Sequence, residues 1–180
     1  MNQSLIRTAV VAVVAMAAIS AAARDIEDST PTPFPIISTE ISGSDLAFFT
    51  GAGPQMALLA QLSELAAKRA VAPEVQAEAA MLSKEQSAAA ARLQQLAASK
   101  NVPLAADPDD PGKQVLQNLK KLDGVRFDKS FLDAQQDAQD ALETSLQSGA
   151  SSTDPDIKSL AEADLQTLKQ ERDRLRKLGL

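Results

Sequence analysis

Beyond Gly43, apolar residues return at steps of three and four, the spacing that lines one face of a helix. Ser44 and Asp45 suit a helix start, and the first helix is predicted to run to about Arg69, with Leu58, Leu62 and Leu65 on one face and Leu59 beside them. Gly51, Gly53 and Pro54 lie in its first turns, so a kink or a late start is expected there. Pro73 and Glu74 open a second helix ending near Lys100. Its seam is Val75, Ala79, Leu82, Gln86, Ala89, Leu93 and Leu96, with one polar interruption at Gln86. Ala105 to Gly112 reads as a Pro/Asp loop, and Val115, Leu116, Leu119 and Leu122 as a short helix ending near Asp123-Gly124. A third long helix is predicted from about Val125 to Ser148, with Phe127, Phe131, Ala134, Ala138, Leu142 and Leu146 inward and Gly149 as its stop. Asp154 as cap and Pro155 at the first helical position begin a fourth, striped by Ile157, Ala161, Leu168, Leu175 and Leu178. No strand-like alternation extends beyond a few residues. The expected fold class is all-α: residues 44–180 as an antiparallel four-helix bundle with a short extra helix.

The first 43 residues read differently. Arg7, the apolar run Thr8 to Ile19 and the small residues Ala21 to Ala23 have the layout of a cleavable secretory signal over residues 1–23. The apolar run is short for a membrane span. Residues 24–43 contain Pro31, Pro33 and Pro35 among Thr and Ser, the composition of a flexible tail or tether. The expected location is therefore the periplasm.

Composition removes several kinds of chemistry. The chain of 180 residues has no Cys, His, Trp or Tyr. Disulfides, thiol nucleophiles, Ser-His-Asp triads and His-ligated metals are excluded. With a net charge of -6 and 3% aromatic residues, a nucleic-acid surface is not expected. No Ser has a His base or a Ser-x-x-Lys partner, so none is a credible nucleophile.

Four segments carry a family resemblance. Ser44-Asp45-Leu46-Ala47-Phe48-Phe49 resembles an S-D-x-x-F opening, and Leu65 to Ala70 followed by Pro73-Glu74-Val75 resembles an L-A-x-x-K-A…P-E-V junction. Phe127 to Phe131 resembles F-D-x-x-Y/F, and Asp154 to Lys158 resembles D-P-E-L-K. In this order, over residues 44 to 178, they resemble the bacterial domain-of-unknown-function family 4142. The resemblance implies an exported protein with a ferritin-like helical bundle and no settled activity. It also implies that His residues usual on three long helices of the family are replaced here by Glu85, Gln139 and Glu171, and that an acidic residue of the first long helix falls on Leu59 or Gln61.

A ferritin-like di-metal site needs Glu-x-x-His pairs, which this chain lacks. Carboxylates alone suit hard cations, and Glu85, Glu171 and Asp164 are the candidate ligands. Asp164 and Glu171 are two turns apart and share a face with Ile157, Leu168 and Leu175. Burying both unpaired would be costly. The competing expectation puts them at the rim or pairs them with Arg172, Lys84 or Arg92. A vestigial polar centre of Glu85, Gln139 and Glu171 is the further expectation. Asp107, Asp109 and Asp110, broken by Pro108 and Pro111, read as a turn. Lys169, Arg172, Arg174, Arg176 and Lys177 complement the dipole of the last helix and would suit a weak membrane-surface contact. The leading expectation is a non-catalytic envelope bundle with a binding, structural or stress-related role. It would have no cofactor, and its protein or envelope partner is not specified by the sequence. The alternative is a carboxylate-only ferritin-like metal protein or metal-dependent enzyme.

Overall fold

A computed structural model describes residues 41–179. The signal-peptide expectation for residues 1–23, and that of a tether apart from its last three residues, lie outside the described residues. Five α-helices follow in order: α1 (Gly43–Arg69), α2 (Pro73–Ser99), α3 (Asp110–Leu119), α4 (Gly124–Ala150) and α5 (Pro155–Arg176). There is no strand among the described residues, and no described helix is long and apolar enough to cross a membrane. α1 packs along α2 and α4, α4 along α5, and α5 meets α2. α3 lies against α1 and α4. The shared core is made by Phe48, Phe49, Leu59 and Leu62 of α1, Leu82 and Leu93 of α2, Phe127, Phe131 and Leu146 of α4, and Ile157 of α5.

Three boundaries differ from the sequence reading. α1 starts at Gly43 and passes through Pro54 without interruption. Its N-terminus is capped by Ser42 Oγ, which accepts from Asp45 N at 3.1 Å. Pro54 removes one helical donor, but Phe48, Phe49, Ala52, Gly53 and Met56 around it are all buried, so packing holds the segment helical. The neighbouring glycines serve close approach instead. A Cβ at Gly51 would lie 2.6 Å from Ser145 Oγ, and one at Gly53 2.5 Å from Leu104 Cδ1.

α3 begins inside the stretch expected to be a loop. Asp109 accepts from Gly112 N at 2.9 Å, and Pro111 occupies the first turn, so the Pro/Asp run is a helix start. α4 continues to Ala150, past Gly149. Gly149 is buried, and a Cβ there would stand 2.6 Å and 2.7 Å from the Phe48 ring and 3.0 Å from Ala161 Cβ. It is a contact glycine of three helices rather than a helix stop.

The four motif segments form the junctions. Asp45 accepts from Ser42 Oγ at 2.7 Å and from Ser152 Oγ at 2.6 Å, fastening the start of α1 to the α4–α5 turn. Arg69 donates to Lys120 O, Leu122 O and Asp123 at 2.9, 2.8 and 2.6 Å, with its guanidinium 5.1 Å from the Phe127 ring centroid. Asp128 of α4 is buried and accepts from Val71 N at 3.1 Å and Ala72 N at 2.8 Å, just ahead of α2. Ala72, the cap residue of α2, has no side chain able to cap, so this carboxylate secures the turn from another helix. Asp154 caps α5 through Asp156 N and Ile157 N and pairs with Lys100 at 2.5 Å. The Lys100 ammonium, ahead of burial and the backbone donors, sets the balance that holds the Asp154 carboxyl below its ordinary range.

Gly149→Ala is expected to cost about 1–3 kcal/mol, because overpacking against Phe48 outweighs the gain in helix propensity. Urea denaturation checks this, and an unchanged midpoint would contradict it. Asp128→Ala is expected to cost about 2–3 kcal/mol through loss of hydrogen bonds to a charged acceptor, read by the same method.

Candidate functional site

In the core, three side chains close a ring of hydrogen bonds across three helices. Ser63 Oγ of α1 donates to Gln86 Oε1 of α2 at 2.7 Å. Gln86 Nε2 donates to Gln135 Oε1 of α4 at 3.3 Å. Gln135 Nε2 returns to Ser63 Oγ at 2.5 Å and also reaches Leu59 O at 3.4 Å. The remaining amide hydrogen of Gln86 goes to Glu171 Oε2 of α5 at 3.1 Å, and Gln139 Nε2 donates to the same oxygen at 3.2 Å. All five side chains are buried. The network therefore ties the four long helices together in a medium where an unpaired polar group is costly.

Glu171 is the one ionisable member. It is 3% exposed and receives neutral amides rather than a cation. Burial pushes its pKa up to about 7. The Gln86 hydrogen bond opposes that rise, the nearby Glu85 charge adds to it, and Arg174 and Gln139 oppose it more weakly. Arg174 is occupied elsewhere, by Glu78 at 2.7 Å and by Glu85.

The residues singled out from the sequence are distributed as follows. Glu171 and Gln139 do meet in the core. Glu85 does not join them: it is half-exposed and ion-paired with Arg174, so its place in the expected polar centre is corrected to its neighbour Gln86. The cause is helical phase, since only Gln86 falls on the seam of α2. Asp164 is buried at 4% exposure and pairs with Arg92 at 2.8 Å. This matches the expected counter-charge but not a rim position. Glu171 likewise is neither at the rim nor paired with a base. Asp164 and Glu171 line one small pocket, but Glu85 is held apart by Arg174, and no group of three acidic side chains suited to a metal ion occurs among the described residues. Asp109 of the acidic loop is spent capping α3.

The basic residues of α5 are also largely engaged within the protein. Arg172 pairs with Asp140 at 2.6 Å and with Glu143, and Arg176 with Asp173 at 3.4 Å. Sequence reasoning missed Ser63 and Gln135 as members of the centre. Gln135 lies four residues from both Phe131 and Gln139, a polar residue on an apolar stripe, and that signal was available. Ser63, beside Leu62, carried no such mark. Chemically, the centre offers a single carboxyl that titrates near neutral pH, surrounded by neutral amides.

Residues 36–178 match the family described as Domain of unknown function (DUF4142). No curated protein and no solved structure matches the chain.

The raised Glu171 pKa has a definite stability signature. Between its ordinary value of 4.5 and about 7 the folded state holds a proton that the unfolded state has released, so stability falls as pH rises through that window. Glu171→Gln imitates the protonated form. It is expected to flatten the dependence and to stabilise the protein at pH 8 by roughly 3 kcal/mol. Urea titrations at pH 5 and pH 8 check this, and equal pH dependence in both proteins would refute it.

Proposed function

The chain belongs to the DUF4142 family, and from that premise we propose that it is an exported helical bundle of ferritin-like arrangement with a binding or structural role in the cell envelope rather than a catalytic one. The observation that carries this reading is the closed Ser63–Gln86–Gln135 ring with Gln139 and Glu171 attached. In the middle of four packed helices, where a ferritin-like metal protein directs carboxylates and imidazoles, this chain directs amides that hydrogen-bond one another. Both amide hydrogens of Gln86 are committed, and Glu85 and Asp164 are held by Arg174 and Arg92. The centre is thus used to join helices. Export is supported by Arg7, the apolar run Thr8 to Ile19 and Ala21 to Ala23, and a stress-related role fits a stable bundle placed outside the cytoplasm.

Two measurements test this. Mass spectrometry of the protein purified without a tag from its native host is expected to find a mature N-terminus near Arg24 in the periplasmic fraction. A chain retaining residues 1–23 in the cytoplasm would contradict export. Elemental analysis of that material is expected to find no stoichiometric transition metal, and Glu171→Gln is expected to complement a deletion strain. Bound iron or manganese that disappears in that variant would replace this reading with a carboxylate metal centre.

A further inference from the structure

Every described helix begins or ends at one end of the bundle. α1 finishes there at Arg69, α3 at Leu119 and α5 at Arg176, while α2 starts at Pro73 and α4 at Gly124. Cross-contacts hold these termini together: Arg69 reaches Lys120 O and Asp123, Asp128 receives Val71 N, and Arg174 reaches Glu78. Positive charge is concentrated at this end. Residues 67–75, 119–129 and 173–179 carry nine Lys and Arg against four Asp and Glu, whereas the other described residues carry seven against sixteen. A chain that is acidic as a whole thus has one basic pole.

Fold stability accounts for only part of that pole. Lys68, Arg69, Arg174 and Arg176 stand near helix C-termini, where positive charge is favourable, and all four have acidic partners within the protein. Lys120, Lys121, Arg126, Lys129 and Lys177 are exposed and have no acidic partner among the described residues. Arg126 lies in the first turn of α4, against the helix dipole, and that turn holds no acid. Asp123 gives no relief, because it makes no side-chain cap and is held by Arg69. Beside Arg126, Val125 is 79% exposed, and Val71 is 56% exposed; they are the two most exposed large hydrophobic side chains among the described residues. Val125 stands one turn before Asp128, the residue that receives Val71 N, so both valines belong to the basic pole.

Exposed valines among unpaired cations suit a surface that offers phosphate and hydrocarbon together. Lys and Arg keep their charged heads in water while their stems lie along apolar material, so they fit a headgroup layer with a valine between them. We propose that this end of the bundle docks on an anionic phospholipid bilayer, with the five unpaired cations facing headgroup phosphates and Val125 and Val71 entering the interface. The docking is peripheral, since no described helix is long and apolar enough to cross the bilayer. A soluble acidic partner is the less favoured occupant: four of the five cations are Lys, whose point charges on flexible stems match a fluid headgroup layer better than a fixed array of carboxylates. The surface also differs from the α5 contact expected from sequence, because Arg172, Arg174 and Arg176 are spent on ion pairs. It rests on the envelope reading only for which membrane is met; the docking end itself is a property of the folded bundle.

Flotation of the purified protein with lipid vesicles tests the proposal. Vesicles of phosphatidylglycerol and phosphatidylethanolamine are expected to carry the protein, and vesicles of phosphatidylcholine alone are not. Each Lys or Arg near an anionic surface contributes roughly fivefold to partitioning, so Arg126→Gln combined with Lys129→Gln is expected to weaken binding about 25-fold. Val125→Ser is expected to weaken it about tenfold through lost apolar burial. These three positions are exposed, so the Tm of each variant is not expected to fall, which separates lost docking from lost fold. Lys113→Gln combined with Lys158→Gln, an equal change of charge away from this end, is expected to bind as the wild type does. Equal binding to phosphatidylcholine, or binding that survives the Arg126 and Lys129 substitutions, would overturn the proposal. Val125→Ser binding as well as the wild type would overturn it too, and reassign the end to a soluble acidic partner. Failure in any of these ways leaves export and metal content, read by their own measurements, where they stand.

Discussion

Five buried polar side chains must all be satisfied at once, and the arrangement of the four long helices follows from that requirement. Ser63, Gln86, Gln135, Gln139 and Glu171 come from α1, α2, α4 and α5, and each hydrogen bond in the network crosses between helices or returns to the ring. The apolar contacts around them are tolerant, because leucine and alanine pack in many registers. Amides are not: a small slide or rotation of one helix would strand a donor in a dry core, at a cost of about 1–3 kcal/mol per group. The network therefore adds register to a core whose Ala-rich seams would otherwise specify it weakly.

Charge reinforces the same register from outside. Asp128 crosses from α4 to the turn before α2, Arg69 crosses from α1 to the α3–α4 connection, and Asp45 crosses from α1 to the α4–α5 turn. Arg172 and Arg174 of α5 reach acids on α4 and α2 respectively. These groups sit where helices end or meet, so the four short motif segments are, in this chain, chiefly the fastenings of its junctions. The exposed pairs among them contribute little individually, whereas the buried acceptor Asp128 and the half-buried Arg69 fork hold backbone groups that otherwise lack partners.

Glu171 stands apart because it is held by amides instead of a cation. Its burial makes the protonated form comfortable and the ionised form costly, so the core contains one group that answers to pH near neutrality. Two buried side-chain atoms among the described residues lack a hydrogen-bond partner, Asp164 Oδ2 and Arg172 Nε, and both belong to α5.

Helix periodicity, with Pro and Asp as start signals, determined from sequence alone the all-α class, the approximate spans of α2 and α5, and most of the buried stripe. These are local properties, set by 3.6-residue spacing and by which side chains can cap a helix. Pro54, Gly149 and the Asp109–Gly112 stretch were misread because the same residues serve as breakers in one setting and as contacts or caps in another, and only the neighbours decide which. The polar centre was half legible. Gln139 and Glu171 lie on apolar stripes, as do Gln86 and Gln135, but one residue of phase separates Gln86 in the core from Glu85 on Arg174. Which polar side chains meet depends on the rotation of each helix about its axis and on its height against three others. Those are collective outcomes of packing, to which no single segment of the chain holds the answer.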